Sequence, residues 1–76
     1  MNAIAKVIEV VGTSEDSLED AIRGAIARAS KTIDNLQWFH VTEIRGALDG
    51  ASIERFQVIM RIGFGLNDDE DADDDD

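Results

Sequence analysis

Three observations predict an α+β fold of β-α-β-β order, with a three-stranded antiparallel sheet arranged 1-3-2 and one helix across one face. The first ten or so residues are rich in β-branched side chains, the next stretch carries a single apolar stripe at helical spacing, and residues 36–66 alternate on either side of an Asp49-Gly50 turn. Each element can be justified in chain order.

The first strand covers about residues 3–11, where Ile4, Val7, Ile8, Val10 and Val11 suit a pleated surface and Gly12 marks a stop. Gly12-Thr13-Ser14 then reads as a turn and helix start, with Thr13 or Ser14 available to cap the first amides. Glu15, Asp16, Glu19 and Asp20 crowd the positive end of the helix dipole, and Arg28 and Lys31 lie near the negative end. Leu18, Ala21, Ile22, Ala25, Ile26, Ala29 and Ile33 follow the i, i+3, i+4, i+7 rule and define one buried stripe. The three alanines in that row let the helix sit close on a sheet.

Residues 36–66 form a long hairpin, because Asp49-Gly50 between alternating stretches is the pattern of a two-residue type I′ turn. That turn pairs Leu48 with Ala51, Val41 with Val58, Phe39 with Met60, His40 with Ile59 and Trp38 with Arg61. Phe56, Val58, Met60, Ile62, Phe64 and Leu66 alternate without a break and cover the helix stripe. The other face is left bare and carries Trp38, His40, Ile44, Ile53, Gln57 and Ile59. Strand one precedes the helix and runs parallel to strand two, so an all-antiparallel sheet needs strand three in the middle.

Composition sets the limits on function. The 76 residues make one small domain, residues 1–66, followed by a segment, 67–76, that holds eight of the seventeen acids and no base. The body therefore has nine acids against seven bases, a net of −2, although the whole chain stands at −10. Residues 67–76 bury too little apolar surface to offset their ordering entropy, which predicts a disordered acidic tail whose plainest role is solubility. A domain of this size usually needs disulfides, a metal or oligomerisation. With no cysteine and a single histidine, oligomerisation is the device left. Long strands with exposed edges and a bare face point the same way, toward a higher oligomer. The seven bases are scattered, which argues against nucleic acid. No apolar run approaches the roughly 18 residues of a membrane span, and the N-terminus lacks a secretory signal, so a cytoplasmic location with no membrane partner is expected.

The residues also carry a resemblance. Lys6-Val7-Ile8-Glu9-Val10-Val11-Gly12-Thr13-Ser14, Ala25-Ile26-Ala27-Arg28-Ala29, Trp38-Phe39-His40-Val41 with Ile44-Arg45-Gly46, and Phe56-Gln57-Val58 with Gly63-Phe64 follow one another as in the dodecins. The chain resembles this family of small flavin-binding proteins over nearly all of residues 4–66. The resemblance implies a hollow, roughly spherical dodecamer with flavins bound in pairs where subunits meet. It also implies that Trp38 stacks on the isoalloxazine ring, that Gln57 hydrogen-bonds its polar edge, and that Arg45 meets a ligand phosphate, which suits FMN better than riboflavin. Taken alone, Arg45 reads equally well as a cross-strand partner of Glu54, and Trp38 more often as an interface residue than as a cofactor platform. Some bacterial relatives bind coenzyme A through an arginine near the end of strand three. Gly65 stands at that position here and puts coenzyme A in doubt.

On the expected register Trp38 lies four residues along from Gln57, about 13 Å by strand rise, so the two are expected to reach one flavin from different subunits. His40, with no second histidine or cysteine, is a poor metal ligand. No nucleophile with a plausible base is present, but a flavin carries redox chemistry by itself. It is the stacked flavin implied by the resemblance, which offers a substrate little access, that makes non-enzymatic flavin storage and photoprotection the expected role. Two alternatives stand beside it, a flavin-dependent oxidoreductase and an assembly or sensor module that binds another small ligand.

Overall fold

The computed structural model describes residues 3–66, and the predicted acidic tail lies outside them. Strand β1 (Ala5–Ser14), helix α1 (Leu18–Ser30), strand β2 (Leu36–Asp49) and strand β3 (Ser52–Gly65) follow one another as the patterning predicts. The sheet is antiparallel throughout, in the order β1-β3-β2. The most apolar strand therefore takes the centre, where it gains neighbours on both edges. Val58, Met60 and Ile62 of β3 are its fully buried side chains, and they lie under Ala21 and Ala29 of α1. Ile8, Val10, Leu18, Ile22, Ala25, Ile26, Leu36 and Val41 pack around them.

The entry to α1 differs from the expectation. β1 does not stop at Gly12 but continues to Ser14, because Gly12 is a contact residue rather than a turn residue. A Cβ at Gly12 would run into the carbonyl of Ala21, so the absent side chain is what lets α1 lie against the strand. The turn is organised by the buried Ser14 hydroxyl. It accepts hydrogen bonds from the Asp16 amide (2.9 Å) and the Ser17 amide (3.3 Å), and donates to Asp20 Oδ2 (2.9 Å). The N-cap is Ser17, not Thr13 or Ser14, and its hydroxyl accepts from the Asp20 amide at 3.0 Å. Glu19 and Asp20 in the first turn and Arg28 in the last complement the helix dipole.

The hairpin keeps its place but not its register. Asp49 pairs with Ser52, so the turn falls at Gly50-Ala51, one residue later than predicted, with Gly50 at φ 64° supplying the left-handed backbone. Three bulges follow, which leave Glu54, Thr42 and Gln37 without partners directly opposite. Trp38 accordingly faces Gly63 rather than Arg61, Phe39 faces Ile62 rather than Met60, His40 faces Arg61 rather than Ile59, and Val41 faces Met60 rather than Val58. These pairs are displaced by two residues, which preserves the face of each side chain. At Thr42 the displacement becomes odd and the faces exchange. Its hydroxyl donates to the Ile59 carbonyl at 3.0 Å, which holds the bulge. Beyond it Glu43 faces Ile59, Ile44 faces the core residue Val58, and Arg45 faces Gln57. Ile44 therefore belongs to the helix side of the sheet, not to the bare face. There, with paired Leu48 and Ile53, it remains more than half exposed.

Candidate functional site

The side of the sheet away from α1 is uncovered and consists of rows running across all three strands. Thr13, Gln57 and Arg45 form one row, Val11, Ile59 and Glu43 the next, Glu9, Arg61 and His40 the third, and Val7, Gly63 and Trp38 the fourth. Strand pleating produces this arrangement, since every second residue of a strand points to the same side.

All three residues singled out from sequence stand on this face. Arg45 and Gln57 are direct cross-strand neighbours, brought together by the Thr42 bulge. The Gln57 amide donates to the Thr13 hydroxyl at 3.4 Å, leaving its carbonyl oxygen and second N–H available. Arg45 does not pair with Glu54. Its nearest carboxylate is Glu43 on its own strand, at 3.6 Å, while Glu54 contacts Arg55 at 3.4 Å. The Arg45–Glu43 contact is solvent-exposed and weak, so the Arg45 guanidinium is not committed to it. Trp38 stands six residues along β3 from Gln57, about 20 Å at strand rise, farther than the uninterrupted register implies.

Trp38 is 44% exposed and lies over the backbone of β3. A Cβ at Gly63 would fall nearest indole Cε2 and slightly farther from its bonded neighbours Nε1 and Cζ2. A point in the ring plane beside that edge would be nearer the neighbours, so Gly63 lies beneath the flat face of the indole. Sequence reading missed this contact because it placed Arg61 opposite Trp38.

On the helix side an open groove of about 630 Å³ runs between α1 and β1, lined largely by apolar side chains with Arg28 among them. None of the three singled-out residues lines it. Among the described residues no group of three or more His, Asp or Glu is placed to hold a metal ion, and no helix is long and apolar enough to cross a membrane. Nine large apolar side chains are exposed among the described residues, against five buried hydrophobic residues.

The geometry defines a small α+β domain with an uncovered aromatic and polar sheet face and nine large apolar side chains exposed among the described residues. Residues 4–67 match the dodecin family model. The dodecin of Thermus thermophilus is 48% identical over 66 residues, covering 87% of this chain and 96% of that protein. The solved structure of a dodecin from Streptomyces davaonensis superposes with a TM-score of 0.82 at 45% identity, covering 88% of this chain and 98% of its own. A protein of Mycobacterium tuberculosis named calcium dodecin is 31% identical over 64 residues, covering 84% of this chain and 90% of that protein. The chain belongs to the dodecin family, which in general comprises small flavin-binding proteins.

Proposed function

We propose that this chain sequesters flavin between the subunits of a hollow dodecamer, with paired flavins stacked on Trp38, and protects the bound flavin from light rather than using it in turnover. The unit that does so is residues 1–66, with 67–76 as a separate acidic tail. The observation that carries the reading is the attitude of Trp38, one face of whose indole rests on β3 while the other is open. An indole face is electron-rich and an isoalloxazine electron-poor, so stacking adds electrostatic complementarity to area burial.

Gln57 supports the same reading, because a carboxamide offers both a donor and an acceptor to the imide edge of a flavin. Arg45, beside it, supplies a guanidinium suited to a phosphate, which favours FMN over riboflavin. The separation of about 20 Å along β3 between the Trp38 row and the Gln57 row favours a site assembled from two subunits. Bound FMN would bring its own redox chemistry. A ring held between an indole and a second flavin offers substrate little access, whereas electron transfer from indole to the photoexcited ring returns it to the ground state. Coenzyme A is not part of the proposal. Gly65 stands where the arginine associated with that ligand is expected, and a glycine supplies no cation.

The test is titration of apoprotein into FMN and into riboflavin, followed by flavin fluorescence, with Trp38→Ala in parallel. Near-stoichiometric quenching that disappears in the variant supports the stacked site, and tighter FMN binding supports the Arg45 role. Absence of quenching with both flavins refutes the proposal. Oxidation of reduced nicotinamide faster than by free flavin would instead favour an oxidoreductase.

A further inference from the structure

Glycine in the interior of a central strand weakens it, so a reason is needed for Gly63, which lies near the C-terminal end of β3 between two paired neighbours. Backbone conformation is not the reason. Among the described residues Gly50 is the glycine with positive φ, and Gly63 has ordinary strand geometry that any residue adopts. Helix packing is not the reason either, since Gly63 sits on the face away from α1, opposite Val7 and Trp38. It is nonetheless buried, and the atoms that would meet a side chain there are Cε2, Cζ2 and Nε1 of Trp38.

We infer that Gly63 is a positioning residue: it is the seat on which the Trp38 indole lies face-down, and it fixes the plane that the ring offers to a stacked aromatic ligand. The inference rests on the flavin reading for its consequence, but the seat itself is a property of the unliganded chain. A methyl group at position 63 would lie under the ring face, inside van der Waals distance of three ring atoms. The backbone of β3 is held by pairing on both sides, so the ring has to tilt or slide. Stacking depends on parallel planes at contact distance, and a tilted indole loses part of that contact. The neighbouring glycines serve other contacts, with Gly46 against the Arg55 carbonyl and Gly65 against Asn35 and Gln37.

Trp38 is the single tryptophan of the chain, so its near-ultraviolet circular dichroism and emission report this ring without interference. The experiment compares wild type, Gly63→Ala and, as a control, Gly24→Ala, whose added methyl meets nothing within 4 Å. Gly63→Ala is expected to keep the far-ultraviolet spectrum and assembly size, to change the tryptophan signals of the apoprotein, and to weaken FMN binding about tenfold. Gly24→Ala is expected to change neither the tryptophan signals nor FMN binding. A thermal-unfolding cycle gives the second readout: the loss of midpoint caused by Gly63→Ala should disappear when Trp38→Ala is also present. If Gly63→Ala alone fails to fold, recovery of folding in the double variant supports the seat. Unchanged tryptophan signals in Gly63→Ala, or the same loss of midpoint with and without the indole, overturns it. If wild type binds no flavin, the functional reading falls, while the apoprotein signals and the cycle still decide on the seat.

Discussion

Replacing Trp38 by alanine removes the whole stacking platform, and the size of the effect follows from how much of the ring is open. Trp38 is 44% exposed in the subunit. A tryptophan contributes up to about 250 Å², so roughly 110 Å² of it is available to a ligand. Covering that area is worth about 2.7 kcal/mol at ~25 cal/mol per Å². The geometry of a stacked aromatic pair adds about 0.5–1.5 kcal/mol. Trp38→Ala should therefore cost about 3–4 kcal/mol, which corresponds to a rise in Kd of roughly 200- to 1,000-fold. Trp38→Phe keeps a smaller ring over the same seat and should lose about tenfold. The assay is quenching of flavin fluorescence on titration, with oligomer size checked by sedimentation so that a broken assembly is not read as a lost contact. An intact oligomer of Trp38→Ala that binds FMN within about threefold of wild type, with equal quenching, would refute both the stacking and the area argument.

Arg45→Ala should weaken FMN by about tenfold at low salt, in line with a charge-assisted hydrogen bond discounted for solvent exposure, and leave riboflavin unchanged. The difference between the two ligands should shrink as salt is raised, which parallel titrations will show. Gly12→Ala should destabilise the fold by about 1–3 kcal/mol, because the group in its way is the Ala21 backbone carbonyl, which cannot swing aside. Thermal unfolding at fixed protein concentration measures it, and an unchanged midpoint would contradict the close approach of α1 to β1. Ser17→Ala should cost about 1 kcal/mol through loss of the cap on the Asp20 amide, and Ser17→Asp should restore most of it.

The element order, the sheet order and the helix stripe from Leu18 to Ala29, though not Ile33, which falls beyond the end of α1 at Ser30, were legible because each rests on an uninterrupted periodicity. The register was not, because a bulge adds one residue without a composition of its own, and Thr42 is as good a strand former as its neighbours. One signal was present. An unbroken alternation from Val41 carries Glu43 and Arg45 onto the helix side of the sheet, where charges are costly. The apolar positions Val41 and Ile44 are three apart, which a strand accommodates by inserting a residue between them. Taken together, these facts call for the bulge that places Arg45 beside Gln57. The contact between Trp38 and Gly63 depended on the same register, so it too stayed hidden. The candidate residues came from resemblance to a family, since a glutamine and an arginine on a strand carry no motif of their own. The sequence reading ended β1 at Gly12 and so placed the cap at Thr13 or Ser14; Ser17 came into view as the cap only when Gly12 proved to be a packing contact.

The shortage of buried side chains has a consequence for how such a protein is maintained in a cell. With five hydrophobic residues enclosed among the described residues and nine large ones facing outward, subunit contacts in the proposed dodecamer would supply much of the free energy that orders each chain. For that dodecamer, folding would be a reaction of high molecularity, governed by mass action. Its midpoint rises with subunit concentration, and dilution lowers the stability of each chain as well as the number of assemblies. A flavin held between subunits, as proposed, would shift the same equilibrium, so its supply would set how much protein survives proteolysis as well as how much is occupied.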